Sequence, residues 1–182
     1  FACANMEGLV IGAEICEDVW VPDPPSNRHA LAGATLIVNA SASDENTGKD
    51  LYRRSLVENQ SARLVCGYIY ADAGEGESTT DLVFAGHNLI CENGTLLRES
   101  ERFTTGLITA DLDLERLRNE RRRMTTFGPL DSEGYQRVAF TVRKAPLSLE
   151  RFVDPAPFVP GNKADRDRRC EEILLIQAMG LK

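Results

Sequence analysis

Gly8-Leu9-Val10-Ile11-Gly12-Ala13-Glu14-Ile15, running directly into Cys16-Glu17-Asp18-Val19-Trp20, is the stretch that decides how the chain is read. Its first eight residues are nearly all apolar. Such a run predicts a strand buried on both faces, as in the middle of a parallel sheet. Cys16 then stands where the strand gives way to a loop, and open α/β sheets gather ligands and catalytic groups outside the carboxyl ends of their strands. Downstream, residues 21–25 (VPDPP) break structure. Ser26 is placed as an N-cap, with a short helix over 27–32 ended by Gly33. Residues 35–38 predict a second strand closed by Asn39, and 41–48 a polar loop. Residues 50–62 predict a helix with Leu51, Ser55, Leu56, Asn59 and Ala62 on one side. Residues 64–71 predict a third strand. Strand, helix, strand, helix, strand implies an α/β layer.

The texture then changes. Short strands are expected over 82–85, 88–91 and 95–98, separated by the turn signals Ala85-Gly86-His87 and Glu92-Asn93-Gly94. A further strand is expected over 106–112, a charged helix capped by Asp113 over 113–124, and an edge strand over 137–143. Pro146, Pro155, Pro157 and Pro160 mark a linker. An amphipathic helix over 163–179 takes its apolar positions from Cys170, Ile173, Leu174 and residues 176–179. This gives three segments: 1–145, a linker over 146–162, and 163–182 as the start of a second domain. The chain begins at Phe1 and stops inside or just after a helix, which reads as a piece of a longer polypeptide.

Of the 182 residues, 42% are hydrophobic and 27% charged, with a net charge of −7, which suits a globular protein and argues against nucleic acid as the main partner. No apolar run reaches the roughly 18 residues of a membrane span, and no basic-then-apolar leader opens the chain. Five widely spaced cysteines form no Cys-x-x-Cys pair and the only histidines are His29 and His87, so no metal site is expected. The odd cysteine count suggests reduced thiols and a cytoplasmic location.

Cys16 is the leading chemical candidate, and two readings of it stand: a nucleophile, or a buried apolar cysteine, the commoner fate of a lone thiol. Nucleophilic attack needs the thiolate, which a neighbouring Glu17 or Asp18 carboxylate disfavours, so a cation or a positioned base is required. Nothing in the sequence sets His29 or His87 beside Cys16. The loop Gly74-Glu75-Gly76-Glu77-Ser78-Thr79-Thr80-Asp81 lacks the Gly-Lys-Ser/Thr end of a phosphate loop and holds two acids that repel phosphate. The arginines of 116–123, interleaved with Glu120, read as a solvated helix face with cations toward its C-terminal end.

The stretch from Gly12 to Trp20 resembles the nucleophile motif of the nitrilase superfamily. Its Cys-Glu-Asp-Val-Trp form is similar to that of the glutaminase domains of glutamine-dependent NAD synthetases. Asn39-Ala40-Ser41-Ala42-Ser43 resembles the next motif, and Tyr70 through Asp81 a stretch distinctive of that subfamily. The likeness continues over 86–97 and 99–103, and resumes at Phe158-Val159-Pro160 and over 166–181. What it implies is one half of a nitrilase-like α-β-β-α sandwich, followed by the linker and the first helix of a synthetase domain. It further implies Cys16 as nucleophile on the side-chain amide of glutamine, with the backbone N–H of Glu17 in the oxyanion hole. Glu17, Ser43 and Lys49 match family positions that contact substrate, and the family position of Lys49 can be arginine. The family's general base Glu and its Lys both precede the nucleophile strand. Glu14 and Glu17 do not match them, and nothing before Gly8 supplies them, so the chain alone is expected to be inactive. No cofactor is expected within it, ATP and Mg2+ being implied for the synthetase domain. The implied partners are glutamine, the rest of the same polypeptide and further copies in a homo-oligomer. Two other readings stay open: a stand-alone amidase or carbamoylase of the superfamily, and a non-catalytic interaction domain.

Overall fold

A computed structural model describes residues 1–146 and 148–181. The chain divides into two compact units, Phe1–Leu149 and Glu150–Lys182. In the first, the strands are β1 (Ala2–Cys3), β2 (Ile11–Ile15), β3 (Leu36–Ser41), β4 (Gly67–Asp72), β5 (Leu89–Glu92), β6 (Thr95–Glu99) and β7 (Ala139–Phe140). Its helices are α1 (Pro25–Leu31), α2 (Lys49–Leu64) and α3 (Leu114–Arg123), with a 3-10 turn over Cys16–Trp20. The second unit holds α4 (Lys163–Gly180), capped by the Asn162 side chain accepting from the Asp165 N–H at 2.8 Å.

The main sheet has the order β2-β3-β4-β5-β6, parallel across the first three strands and antiparallel from β4 onward. The β5–β6 hairpin turns on Asn93 and Gly94, both at positive φ (46° and 82°), the geometry a two-residue turn of this hand demands. One face of the sheet, bearing Glu14, Ile37, Asn39, Tyr68, Tyr70, Leu89 and Cys91, is buried. Val57 and Leu64 of α2 and Ala30 of α1 join it in the core. Toward the carboxyl ends of β2–β4 the other face carries Ala13, Ile15, Ala40 and Ala71, all exposed, with Ile15 68% so, whereas Leu36, Ile90 and Glu92 on that same face are buried. Of the four layers of an α-β-β-α sandwich, the described residues build one five-stranded sheet with α1 and α2 packed on it, and a separate two-stranded sheet of β1 and β7. The first strand is therefore not buried on both faces: within β2 only Glu14 is fully buried.

Several other expectations change. Ser26 is not the cap of α1, which starts at Pro25 with no side-chain cap. Its N–H instead donates to the buried Glu14 carboxylate at 2.8 Å. The side of α2 that faces the core carries Arg53, Val57, Gln60, Ser61 and Leu64, whereas Leu51 is 64% exposed. Buried Arg53 and Gln60 have internal partners, which lets a polar stripe face inward and hides it from hydrophobic periodicity. Residues 82–85 and 106–112 are not strands, and the edge strand over 137–143 shrinks to β7, which pairs with β1. Helix α3 is capped by Asp113 as expected, its side chain accepting from the Arg116 N–H. Arg121 departs from the solvated face: its guanidinium donates to the carbonyls of Leu64 and Val65 at 2.9 and 3.0 Å, closing the end of α2 where Val65 sits at φ 46°. In α4 no described side chain is buried, so its apolar stripe of Ile173, Leu174, Ile176 and Met179 is exposed.

Candidate active site

The parallel strands β2, β3 and β4 bring their carboxyl ends together, and the groups of interest lie on the turns that leave them. Cys16 is the first residue after β2 and the first of the 3-10 turn. It is half-buried, with φ 49°. Positive φ in a non-glycine residue is uncommon and costs about 1 kcal/mol or more unless surrounding contacts hold it. Two sets of contacts hold it here. The Asp18 carboxylate accepts from the Ile15 N–H at 2.7 Å and closes the turn on itself. From β3, the Asn39 amide grips Cys16 twice: Oδ1 accepts from the Cys16 N–H at 3.0 Å, and Nδ2 donates to the Cys16 carbonyl at 3.3 Å.

Asn39 is 1% exposed and is itself oriented from below. Its Nδ2 also donates to the Tyr68 hydroxyl at 3.3 Å, and that hydroxyl donates to Glu14 Oε1 in a short hydrogen bond. Burial, followed by the Glu14 carboxylate, pushes the Tyr68 phenol far above its usual range, so it is a permanent donor. Thus Glu14, two residues before Cys16 and buried in the sheet, anchors the support of the thiol.

Glu17 is exposed. As the second residue of the turn its N–H has no partner within the helix, a general property of helix starts. Ser43 is buried: its N–H donates to Asp72 Oδ1 at 2.8 Å, and its Oγ accepts from Arg53 Nη2 at 3.2 Å. Lys49, the first residue of α2, reaches back to the Asp44 carbonyl and carboxylate, each at 2.7 Å, and its Nζ lies 5.5 Å from the Trp20 ring centre. That contact carries Lys49 toward the turn containing Cys16, since Trp20 closes it. The Lys49 ammonium, through its hydrogen bond, holds the Asp44 carboxyl below its usual range. Ser43 and Lys49 therefore share one loop, and in this structure both are engaged within the protein.

Behind that loop lies a cluster the sequence did not reveal. Arg53 is fully buried. Its Nη1 donates to Glu45 at 3.0 Å and to His87 Nδ1 at 2.9 Å, and its Nη2 lies 3.9 Å from Asp72 Oδ2. Because Nδ1 of His87 accepts, the proton sits on Nε2, which donates to Glu99 at 2.6 Å. Burial works to raise the Glu99 carboxyl, but Arg54 and His87 hydrogen-bonded to it hold it below its ordinary value. Burial raises Asp72. The two histidines are thus accounted for: His29 pairs with Tyr135 and the Ala13 carbonyl, and His87 with Arg53 and Glu99. Neither hydrogen-bonds Cys16.

Among the described residues no three His, Cys, Asp or Glu side chains converge as a metal site requires, and no helix is long and apolar enough to cross a membrane. The missed residues, Asn39 and Arg53, left unequal traces. Asn39 closes the predicted strand over 35–38 and heads the motif Asn39-Ala40-Ser41-Ala42-Ser43, which placed it at a strand end without revealing its partner. Arg53 sits among charged helix residues and left none.

The carbon-nitrogen hydrolase family profile matches residues 1–122. Over its whole length the chain is 44% identical to the glutamine-dependent NAD(+) synthetase of Mycobacterium tuberculosis and spans 28% of that protein. Among solved structures, it resembles the glutamine-dependent NAD+ synthetase of Acinetobacter baumannii (TM-score 0.55, 21% identity, 62% of this chain and 21% of that one). It also resembles Saccharomyces cerevisiae Nit3, a member of branch 10 of the nitrilase superfamily (TM-score 0.53, 20% identity, 63% and 41%). At these identities the two structures speak to the fold alone. It is a nitrilase-type α/β fold.

Proposed function

The chain belongs to the carbon-nitrogen hydrolase family, and from that premise we propose that it is the nucleophile-bearing part of a glutaminase that supplies ammonia to NAD synthesis. The observation that carries the reading is Cys16 itself: a half-buried thiol at the carboxyl end of a parallel strand, held at φ 49° at the start of a 3-10 turn by the Asn39 amide. A cysteine that only filled space would need none of this support.

In the proposed reaction the Cys16 thiolate attacks the side-chain carbonyl carbon of glutamine, and the carbonyl oxygen becomes an oxyanion facing the Glu17 N–H. The tetrahedral intermediate collapses, the C–N bond breaks and ammonia leaves with a proton. A γ-glutamyl thioester remains on Sγ, and water then releases glutamate and restores the thiol. One preorganised oxyanion donor is worth about 3 kcal/mol. The base and the Lys that the resemblance implies are assigned to other residues of the same polypeptide. Ser43, Lys49 and the Glu17 carboxylate are the groups of this chain proposed to meet the amino-acid end of glutamine. For Ser43 and Lys49 that requires exchanging a present partner for substrate. ATP and Mg2+ would serve the later amidation of deamido-NAD. The exposed sheet face of Ala13, Ile15, Ala40 and Ala71 is where the second sheet of the sandwich would pack.

The test is Cys16→Ala in the full-length polypeptide, assayed with both nitrogen donors. Glutamine-dependent NAD formation is expected to vanish while ammonia-dependent formation persists. Equal loss with both donors would assign Cys16 a structural role, and retained glutamine use would overturn the reading.

A further inference from the structure

We infer that Asn39 is a positioning residue for the oxyanion hole, aiming the Glu17 N–H by holding the Cys16–Glu17 peptide plane. The inference rests on the proposed role of Cys16 and goes one residue deeper than it. The argument begins with peptide geometry. No peptide among the described residues is cis, and a trans peptide is planar, with its C=O and N–H pointing in opposite directions. Whatever fixes the Cys16 carbonyl therefore fixes the direction of the Glu17 N–H. Asn39 Nδ2 donates to that carbonyl at 3.3 Å from the buried side of the sheet. The Glu17 N–H is thereby turned away from Asn39.

The same amide also accepts from the Cys16 N–H at 3.0 Å, so both peptide groups flanking the Cys16 Cα are held by one side chain. That double grip is what a residue at φ 49° needs, because the left-handed backbone is not otherwise favoured for cysteine. The amide cannot flip to reverse its roles. Tyr68 gives its proton to Glu14, so its oxygen offers only an acceptor toward Asn39, and Nδ2 must face it. Glu14 is fixed in turn by the Ser26 N–H at 2.8 Å. The chain Ser26–Glu14–Tyr68–Asn39–Cys16 is a buried polar support whose last link sets one peptide plane. Preorganisation of this kind matters because an oxyanion donor acts only if it already points at the developing charge.

The experiment compares wild type, Asn39→Ala, Asn39→Asp and Cys16→Ala in the full-length polypeptide. It reads glutamine hydrolysis, and separately the limiting rate of Cys16 alkylation by iodoacetamide at alkaline pH. Alkylation displaces iodide at a saturated carbon and uses no oxyanion hole. Asp is nearly isosteric and keeps the acceptor for the Cys16 N–H, but it cannot donate to the Cys16 carbonyl. Both Asn39 variants are expected to lower kcat for glutamine about 100-fold, the loss typical of a misplaced oxyanion donor. The glutamine KM and the alkaline alkylation rate should stay within about threefold. A kcat within threefold of wild type in Asn39→Ala and Asn39→Asp, with Cys16→Ala inactive, overturns the inference and leaves the nucleophile standing. Parallel loss of alkylation and hydrolysis, or loss of the cooperative thermal transition in both variants, also overturns it, since Asn39 would then be holding the sheet and not one peptide. Glutamine turnover surviving in Cys16→Ala removes the reading beneath it.

Discussion

Replacing Arg53 with Met tests whether the loop carrying Ser43 and Lys49 is held from behind. Arg53 is fully buried and meets Glu45 at 3.0 Å, His87 at 2.9 Å and Ser43 Oγ at 3.2 Å, with Asp72 at 3.9 Å. The side chain of Asp72 is 0% exposed and that of Glu45 6%, so neither carboxylate can turn to water when the guanidinium is gone. Removing one partner of such a buried pair costs about 3–5 kcal/mol. If the loss falls on local opening of residues 41–48, amide exchange there accelerates from roughly a hundredfold to several thousandfold, at about 1.4 kcal/mol per decade. The assay is hydrogen–deuterium exchange with mass spectrometry on the full-length polypeptide, comparing peptides from this loop with peptides from β5 and β6. Arg53→Lys should recover only part of the protection, because one ammonium cannot reach three partners in the planar fork that Arg provides. The sign of the pH dependence is fixed as well. Burial already raises Asp72, and without Arg53 its folded pKa rises further above the unfolded value. The variant should therefore regain stability as pH falls through that folded pKa, narrowing the gap to wild type. Exchange within about threefold of wild type in Arg53→Met, or a gap that widens on acidification, would refute the reasoning.

Three further outcomes are expected. Iodoacetamide at neutral pH should spare Cys66 and Cys91, whose thiols burial pushes up to about 12, while modifying exposed Cys170; peptide mass spectrometry of the labelled native protein reads this, and early labelling of Cys66 or Cys91 would contradict the buried sheet face. Ser43→Ala and Lys49→Ala in the full-length polypeptide should each raise the glutamine KM about tenfold to hundredfold, the worth of a charged contact, with ammonia kinetics unchanged; unchanged glutamine kinetics would return both residues to the internal bonds they make here. The 182-residue chain alone should release no glutamate from glutamine and should aggregate through its exposed sheet face, with Ile15 68% exposed; steady turnover abolished by Cys16→Ala would contradict this.

The parallel half of the sheet was readable because apolar runs separated by a helix-length spacer leave few alternatives. The strands expected over 35–38 and 64–71 are found as β3 (Leu36–Ser41) and β4 (Gly67–Asp72), the second starting later because α2 runs on to Leu64, and Cys16 does stand at a strand end. What periodicity could not supply was which faces are covered. The stretch 8–15 looks buried on both sides, yet Ile15 is exposed while Glu14 is buried with Tyr68 and Ser26 as partners. A satisfied acid in a core is invisible to a hydrophobic pattern. Arg53 and Gln60 mislead in the same way on α2, where Leu51 seemed the inward residue and is not. Short apolar stretches such as 82–85 and 106–112 resemble strands by composition but pair with nothing that continues a ladder. At the site, Cys16 was legible from its motif, whereas the hydrogen bonds of Asn39 depend on the register of β3 against β2, which pairs Glu14 with Asn39 and Ile15 with Ala40 and which no single strand encodes.

The central claim is that Cys16 carries the acyl group of glutamine. The direct measurement is to quench the full-length polypeptide with acid during steady turnover on glutamine, digest it, and examine the peptide containing Cys16 by mass spectrometry. The account predicts a γ-glutamyl thioester on Cys16 Sγ, removed by hydroxylamine and absent without glutamine. Turnover with this peptide unmodified and the adduct on another residue would contradict it.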